Sequence, residues 1–310
     1  MARMLAVVAL LALSACQSED VAPDRLPRFV RPAKAPSVVL VLGSGGPRGF
    51  AHIGVLKVHD EEGVKPDFII GSSVGALVGA LYAGGFSARK LEAMAYDLGM
   101  FEFFEFSMLT GKHNSGAPIQ RYVDEHLDGR TIEQLQVPFA AAATRVSDHK
   151  LVLFTRGDPG LAVRASGADP DMFLPVKVGS EMYLDGDVAS PVPIRAARAL
   201  GAKVVIAVDV SALAEETPQG VPEEWVRKDA RRAAQVRSEA AQADVLLHPD
   251  IGYYAGYKEA YRRHVIEVAE RYTRDHIAEI RAAFARAGMT LPATRQGNVA
   301  ARTPSGVTSR

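Results

Sequence analysis

Gly71-Ser72-Ser73-Val74-Gly75 constrains this chain more than any other stretch. It follows the apolar pair Ile69-Ile70 and leads into Ala76-Leu77-Val78-Gly79-Ala80-Leu81. This is the G-x-S-x-G pattern of a nucleophile elbow between a strand and a helix. A serine on so tight a turn tolerates no bulk two residues to either side, and Gly71 and Gly75 meet that demand for Ser73. Ser72 does not qualify, because its equivalent flanks are Ile70 and Val74. A helix starting just after the serine aims backbone N–H groups and its positive dipole end at developing negative charge.

The surrounding pattern is a run of alternating strands and helices. Ser37–Leu42 is an unbroken, β-branched apolar stretch and reads as a buried strand. The glycine loop 43–49 follows, then a helical pattern over Phe50–Glu62 stopped by Gly63. Asp67–Ile70 is the next strand and carries the elbow. A β-α-β-α order implies a parallel sheet covered by helices.

Further strands are expected at Phe139–Thr144, Leu151–Thr155, Lys203–Val210 and Asp244–Leu247, with a hairpin over 176–184. Short helices are expected at Leu161–Ala165 and Ile194–Leu200, and one long terminal helix over Lys258–Ala287. The charged helix Glu223–Ala241 reads as a solvated face carrying Arg227, Arg231, Arg232 and Arg237. Met100–Met108, with four phenylalanines, reads as core or lid, or alternatively as a lip that meets acyl chains.

At 310 residues and 48% hydrophobic content the chain can bury a sizeable core. Its formal net charge of zero gives no reason to expect a nucleic-acid partner. A single cysteine rules out an intramolecular disulfide framework. That residue, Cys16, ends a basic start, an apolar run from Leu5 to Leu13 and the small pair Ser14-Ala15, the layout of a secretory signal over residues 1–16. Leu13-Ser14-Ala15-Cys16 resembles a bacterial lipobox, which implies cleavage before Cys16 and its lipidation. Acyl chains at roughly 0.8 kcal/mol per buried CH₂ would then anchor the protein to a membrane. By lipoprotein sorting rules, Gln17-Ser18 lean towards the outer membrane of a bacterial cell envelope, facing the periplasm. The proline-rich residues 17–36 read as an extended tether of roughly 25 Å. The main domain is expected over 37–290 and a disordered tail over 291–310.

Two loops carry candidate chemistry. The glycine loop, with Gly43, Gly45 and Gly49 after a strand, also fits a dinucleotide-binding turn. That reading needs an acidic residue closing the second strand, but Asp67 precedes the strand instead. The alternative is an oxyanion hole, whose backbone donors are worth roughly 3–4 kcal/mol of transition-state stabilisation each. Asp185, in Tyr183-Leu184-Asp185-Gly186-Asp187, is the leading candidate for the base. An aspartate base of ordinary pKa keeps activity below pH 6, where a histidine is protonated. Asp185 with Asp187 could instead form a metal pair, although no histidine stands nearby in sequence. His248, after the Asp244–Leu247 strand, would complete a Ser-Asp-His order. His52 reads as a packing residue.

Together these motifs resemble the patatin-like phospholipases. The resemblance is carried by Leu42–Leu56, by Gly71–Gly75, and by Arg164-Ala165-Ser166 with Leu174-Pro175-Val176 and Tyr183–Gly186. Pro191-Val192-Pro193 and Val204–Val210 continue it. It implies a three-layer α/β/α fold with a mainly parallel central sheet, a Ser73–Asp185 dyad without histidine, an oxyanion loop over Gly45, Gly46, Pro47, Arg48 and Gly49, and hydrolysis of phospholipid or other acyl esters, phospholipase A- or lysophospholipase-like, with no cofactor or metal. The chain departs from the family pattern at Asp187 (usually Gly or Ala), at Gly167-Ala168-Asp169-Pro170-Asp171 in place of an apolar-Pro-Gly turn, and at Pro47, where Ala is common. The altered Asp-Gly-Asp turn keeps a second reading open: a catalytically silent lipoprotein that binds lipid or a partner.

Overall fold

Residues on the first strand alternate between two separate cores. In the computed structural model, which describes residues 21–99, 114–213, 215 and 217–292, β1 (Val38–Leu42) is buried throughout. Val38, Leu40 and Leu42 face one apolar cluster, and Val39 and Val41 face the other. A strand buried on both faces must lie inside a layered sheet, and that explains its unbroken apolar sequence.

The neighbouring strands are β2 (Phe68–Ser72), β3 (Phe139–Arg145), β4 (Leu151–Phe154), β5 (Val176–Val178), β6 (Glu181–Asp185), β7 (Val204–Val208) and β8 (Val245–Leu247). The sheet order is β5-β6-β3-β2-β1-β7-β8, with β4 also paired to β3. The run β3-β2-β1-β7-β8 is parallel, while β4, β5 and β6 join antiparallel. The helices are α1 (Ala51–Glu62), α2 (Val74–Ala83), α3 (Ala88–Asp97), α4 (Ala117–His126), α5 (Pro159–Ser166), α6 (Ile194–Ala199), α7 (Glu223–Ala240), α8 (Glu259–Asp275) and α9 (Ile277–Arg286). Helices α1–α5, α8 and α9 supply the first cluster, and α6 with Val236 of α7 supplies the second. The result is the expected three-layer α/β/α arrangement.

Register explains how the site forms. On β3, β4 holds one edge over Ala141–Thr144. The other edge is shared: β2 pairs Phe139–Ala142 in parallel, and β6 pairs Ala143–Arg145 antiparallel. Strands β2 and β6 therefore run towards each other along one edge of β3. Their C-terminal ends meet, Ser72 opposite Ala142 and Asp185 opposite Ala143.

Two expectations are corrected. The terminal helix is two helices, broken at His276, whose Nδ1 lies 2.7 Å from the Tyr272 carbonyl and competes with the helical ladder there. Residues 21–36 are not a free tether. Arg28 N–H donates to the Arg156 carbonyl at 3.1 Å. Val30 N–H donates to Thr155 Oγ1 at 2.7 Å. Arg25 pairs with Asp158 at 2.9 Å, and Arg31 donates to the Ala199 carbonyl at 2.9 Å. This strap crosses the edge where the parallel strands begin, because Thr155 and Arg156 follow β4 and Ala199 precedes β7. Residues 1–20, with the signal and Cys16, lie outside the described residues, as do the Met100–Met108 patch and 293–310 of the tail.

Candidate active site

Ser73 caps α2 with φ 56° and ψ −124°, a left-handed conformation that a serine adopts only under constraint. The two glycines make the turn possible. A Cβ on Gly75 would overlap the Leu42 and Gly43 carbonyl oxygens, and one on Gly71 would overlap the backbone of Gly75 and Ala76. Ser72 is fully buried and its Oγ donates to the Ser190 carbonyl at 3.3 Å. The flanking-residue argument thus selects the same serine as the geometry.

Ser73 Oγ donates to Asp185 Oδ2 at 2.6 Å. Asp185 is only 2% exposed. Its Oδ1 accepts from Asp187 N–H at 2.8 Å, its carbonyl accepts from Thr144 Oγ1 at 2.7 Å, and its N–H donates to Ala168 at 3.0 Å. Burial first, and then the charge of Asp187, push its carboxyl well above the usual carboxylate range; the Ser73 and Asp187 hydrogen bonds pull the other way. The ordinary carboxylate pKa assumed for activity below pH 6 does not apply to a carboxyl in this environment. Burial and the Asp187 charge both favour the protonated form of Asp185.

The glycine loop lies beside the elbow. Its base is fixed by Gly43 N–H to Val208 O and Ser44 N–H to Pro191 O, both 2.9 Å. His52 Nε2 lies 2.8 Å from the Gly43 carbonyl. Burial lowers His52 to about 4, so at neutral pH the ring is uncharged and Nε2 donates. Of the predicted oxyanion loop, Gly45 and Gly46 present N–H groups with no acceptor among the described residues. Pro47 has no N–H, and that of Arg48 is taken by the Gly45 carbonyl at 3.2 Å. Gly49 has another duty: a Cβ there would run into the Val74 side chain at the start of α2.

An apolar cavity of about 180 Å³ opens from Ser73 and runs between helices. Leu77, Leu81, Leu91, Met94, Ile119 and Val163 line it.

His248 does not join the pair. Its Nδ1 lies 3.6 Å from Asp209 Oδ2 and its Nε2 3.0 Å from the Ser211 carbonyl, at the ends of β7 and β8. Asp67 caps the start of β1, accepting from the N–H groups of Ser37 and Val38 at 2.9 and 3.0 Å. Asp187 is held by Arg232, which is 8% exposed rather than part of a solvated face.

Sequence reasoning gave no role to three residues here. Ser166 Oγ accepts from Ser73 N–H at 2.9 Å and donates to the Ala142 carbonyl at 2.6 Å. Thr144 holds the Asp185 backbone, and Ser44 joins Asp187 to Arg232. Nothing in the spacing of Ser44 or Thr144 sets them apart from other small polar residues.

A three-layer α/β/α sheet with a serine on a strand–helix elbow beside a carboxylate defines a class, the elbow-type serine hydrolase folds. Within that class, the chain belongs to the patatin-like phospholipase family, whose model matches residues 40–198. An uncharacterised NTE-family protein of Mycobacterium tuberculosis is 34% identical over 227 residues, 70% of this chain and 60% of that one. A protein of Coccidioides immitis named lysophospholipase is 32% identical over 200 residues, 62% of this chain and 13% of that one. The chain thus spans less than two thirds of the length of the first relative and about an eighth of the second. Among solved structures, VipD from Legionella pneumophila superposes with a TM-score of 0.55 at 13% identity, covering 86% of this chain and 72% of that one. At that identity the likeness concerns the fold.

Proposed function

We propose that this chain is a serine hydrolase of lipid acyl esters working through a Ser73–Asp185 dyad. The observation that carries the reading is the 2.6 Å contact from a conformationally constrained Ser73 to a buried Asp185. Ser73 Oγ bonds to the acyl carbonyl carbon as Asp185 takes its proton. The N–H groups of Gly45 and Gly46 receive the oxyanion. The ester C–O bond breaks, the proton passes from Asp185 to the leaving oxygen, and water repeats the sequence to free the acid and Ser73. The apolar cavity suits an acyl chain, and the relative named lysophospholipase favours a phospholipid or lysophospholipid substrate. Lipidation of Cys16 and an outer-membrane location belong to the same proposal, supported by the sequence of residues 1–18. No described helix is long and apolar enough to cross a membrane.

Intact-mass measurement after a fluorophosphonate probe tests the dyad. One adduct is expected on the wild type and none on Ser73→Ala, with Ser72→Ala still labelled. A wild type that takes no label would leave the silent binding protein as the better account.

A further inference from the structure

We infer that Arg232 is a positioning residue, locking the oxyanion loop to the aspartate loop as one charge-balanced unit; the inference rests on the dyad reading above. Its guanidinium lies far from Ser73 in sequence yet closes a three-residue circuit. Arg232 Nε is 2.8 Å from Asp187 Oδ1, an ion pair rather than an aligned hydrogen bond. Arg232 Nη2 donates to Ser44 Oγ at 2.9 Å, and Ser44 Oγ–H donates to the same Asp187 oxygen. Ser44 immediately precedes the Gly45–Gly46 donors, and Asp187 N–H donates to Asp185. One cation thus touches both halves of the proposed machinery without contacting the reacting atoms.

The helix bearing it is shaped for the purpose. Lys228, Arg232, Gln235 and Glu239 follow i, i+4, i+7, i+11 and share one face of α7. Lys228 pairs with Asp169 at 3.2 Å and Asp171 at 2.6 Å. Gln235 donates to the Val188 carbonyl at 3.1 Å. Glu239 accepts from Ser190 Oγ at 3.2 Å and Arg195 N–H at 2.8 Å. Both acidic departures from the family pattern, at Asp187 and at Asp169 with Asp171, are matched by cations one helical turn apart. Helix α7 lies outside the segment that matches the family model. A buried charge beside Asp185 with no counter-ion would be strongly unfavourable, so Asp187 and Arg232 form a unit.

The charges around the circuit set what to measure. Asp185 faces Asp187 and Asp169, and Lys228 stands over Asp169. Arg232 faces Asp187, then Asp209, Asp229 and Asp185, which hold it charged against its burial; Arg48 of the glycine loop opposes it.

The experiment is the pH dependence of kcat/KM for a chromogenic acyl ester, with fluorophosphonate labelling in parallel. Arg232→Met leaves Asp187 unbalanced, so the acid limb moves to higher pH by about one unit. Asp187→Asn removes the neighbouring negative charge and moves it lower by about as much. Asp187→Asn/Arg232→Met returns it close to the wild-type position. Arg232→Lys keeps the charge and the limb, but one ammonium cannot serve Asp187 and Ser44 in the same fork geometry, so kcat falls about tenfold. A role in stability alone would shift unfolding temperature and leave the limbs in place. If Arg232→Met does not fold, Asp187→Asn and Arg232→Lys decide. An unmoved limb in Asp187→Asn together with wild-type kcat in Arg232→Lys overturns the inference while the dyad stands. A wild type that neither labels nor turns over overturns both.

Discussion

The two halves of the site are built by different physics. The half formed by the glycine loop and the elbow uses backbone and missing side chains: Gly71, Gly75 and Gly49 each clear a space that another residue must fill. The half formed by Asp185, Asp187 and α7 uses charge, with Asp187 held by the buried Arg232 and the more exposed Asp169 and Asp171 held by Lys228. Steric half-sites fail by collision, and electrostatic half-sites fail by a change in protonation. Substitutions in the two halves should therefore differ in kind as well as in size.

The largest effect is expected in the electrostatic half. Asp185→Asn keeps the shape and removes the proton acceptor, so kcat should fall by about 10²–10⁴ with an unchanged circular dichroism spectrum. In the wild type the acid limb should lie above the ordinary carboxylate value of about 4, since the proposed dyad needs the ionised carboxylate, and burial with the Asp187 charge disfavours that form. A limb at the ordinary value would equalise the two halves by removing the electrostatic one.

In the steric half, Gly75→Val should lose activity through stability. The new side chain meets the carbonyls of Leu42 and Gly43, and overpacking of this kind costs about 1–3 kcal/mol. A lowered melting temperature is the expected reading, and an unchanged one would mean that the elbow has room to move. Ser166→Ala lies between the halves. It removes the partner of the part-buried Ser73 N–H, a loss of about 1 kcal/mol for one hydrogen bond, and calorimetry against activity would show whether the elbow or the whole domain feels it. The smallest effect is assigned to His248→Asn, a change in kcat below about tenfold, since His248 is engaged with Asp209 and Ser211. A loss as large as that of Asp185→Asn would restore the triad.

The steric half was legible in the sequence. Glycine spacing is a local rule, and it distinguished Ser73 from Ser72 before any coordinates. Asp185 was legible through its turn and the family resemblance. The circuit was not. Arg232 sits among Arg227, Arg231 and Arg237 on a helix with few buried residues, and no local pattern marks which arginine turns inward. Its partners are 45 and 188 residues away in the chain. The strap failed to show itself for a related reason: prolines signal extended chain equally well whether that chain is free or hydrogen-bonded to a sheet edge.

The strap also gives the molecule a front and a back. Ser73 opens at the C-terminal ends of the parallel strands, and the chain joins the domain at their N-terminal ends, about five strand residues or roughly 17 Å away. A fusion partner, a bead or a lipid attached ahead of Val21 would therefore hold the molecule by its back. Its mouth would look outward into water, and an ester delivered from solution would reach Ser73 more directly than one still embedded in the surface behind.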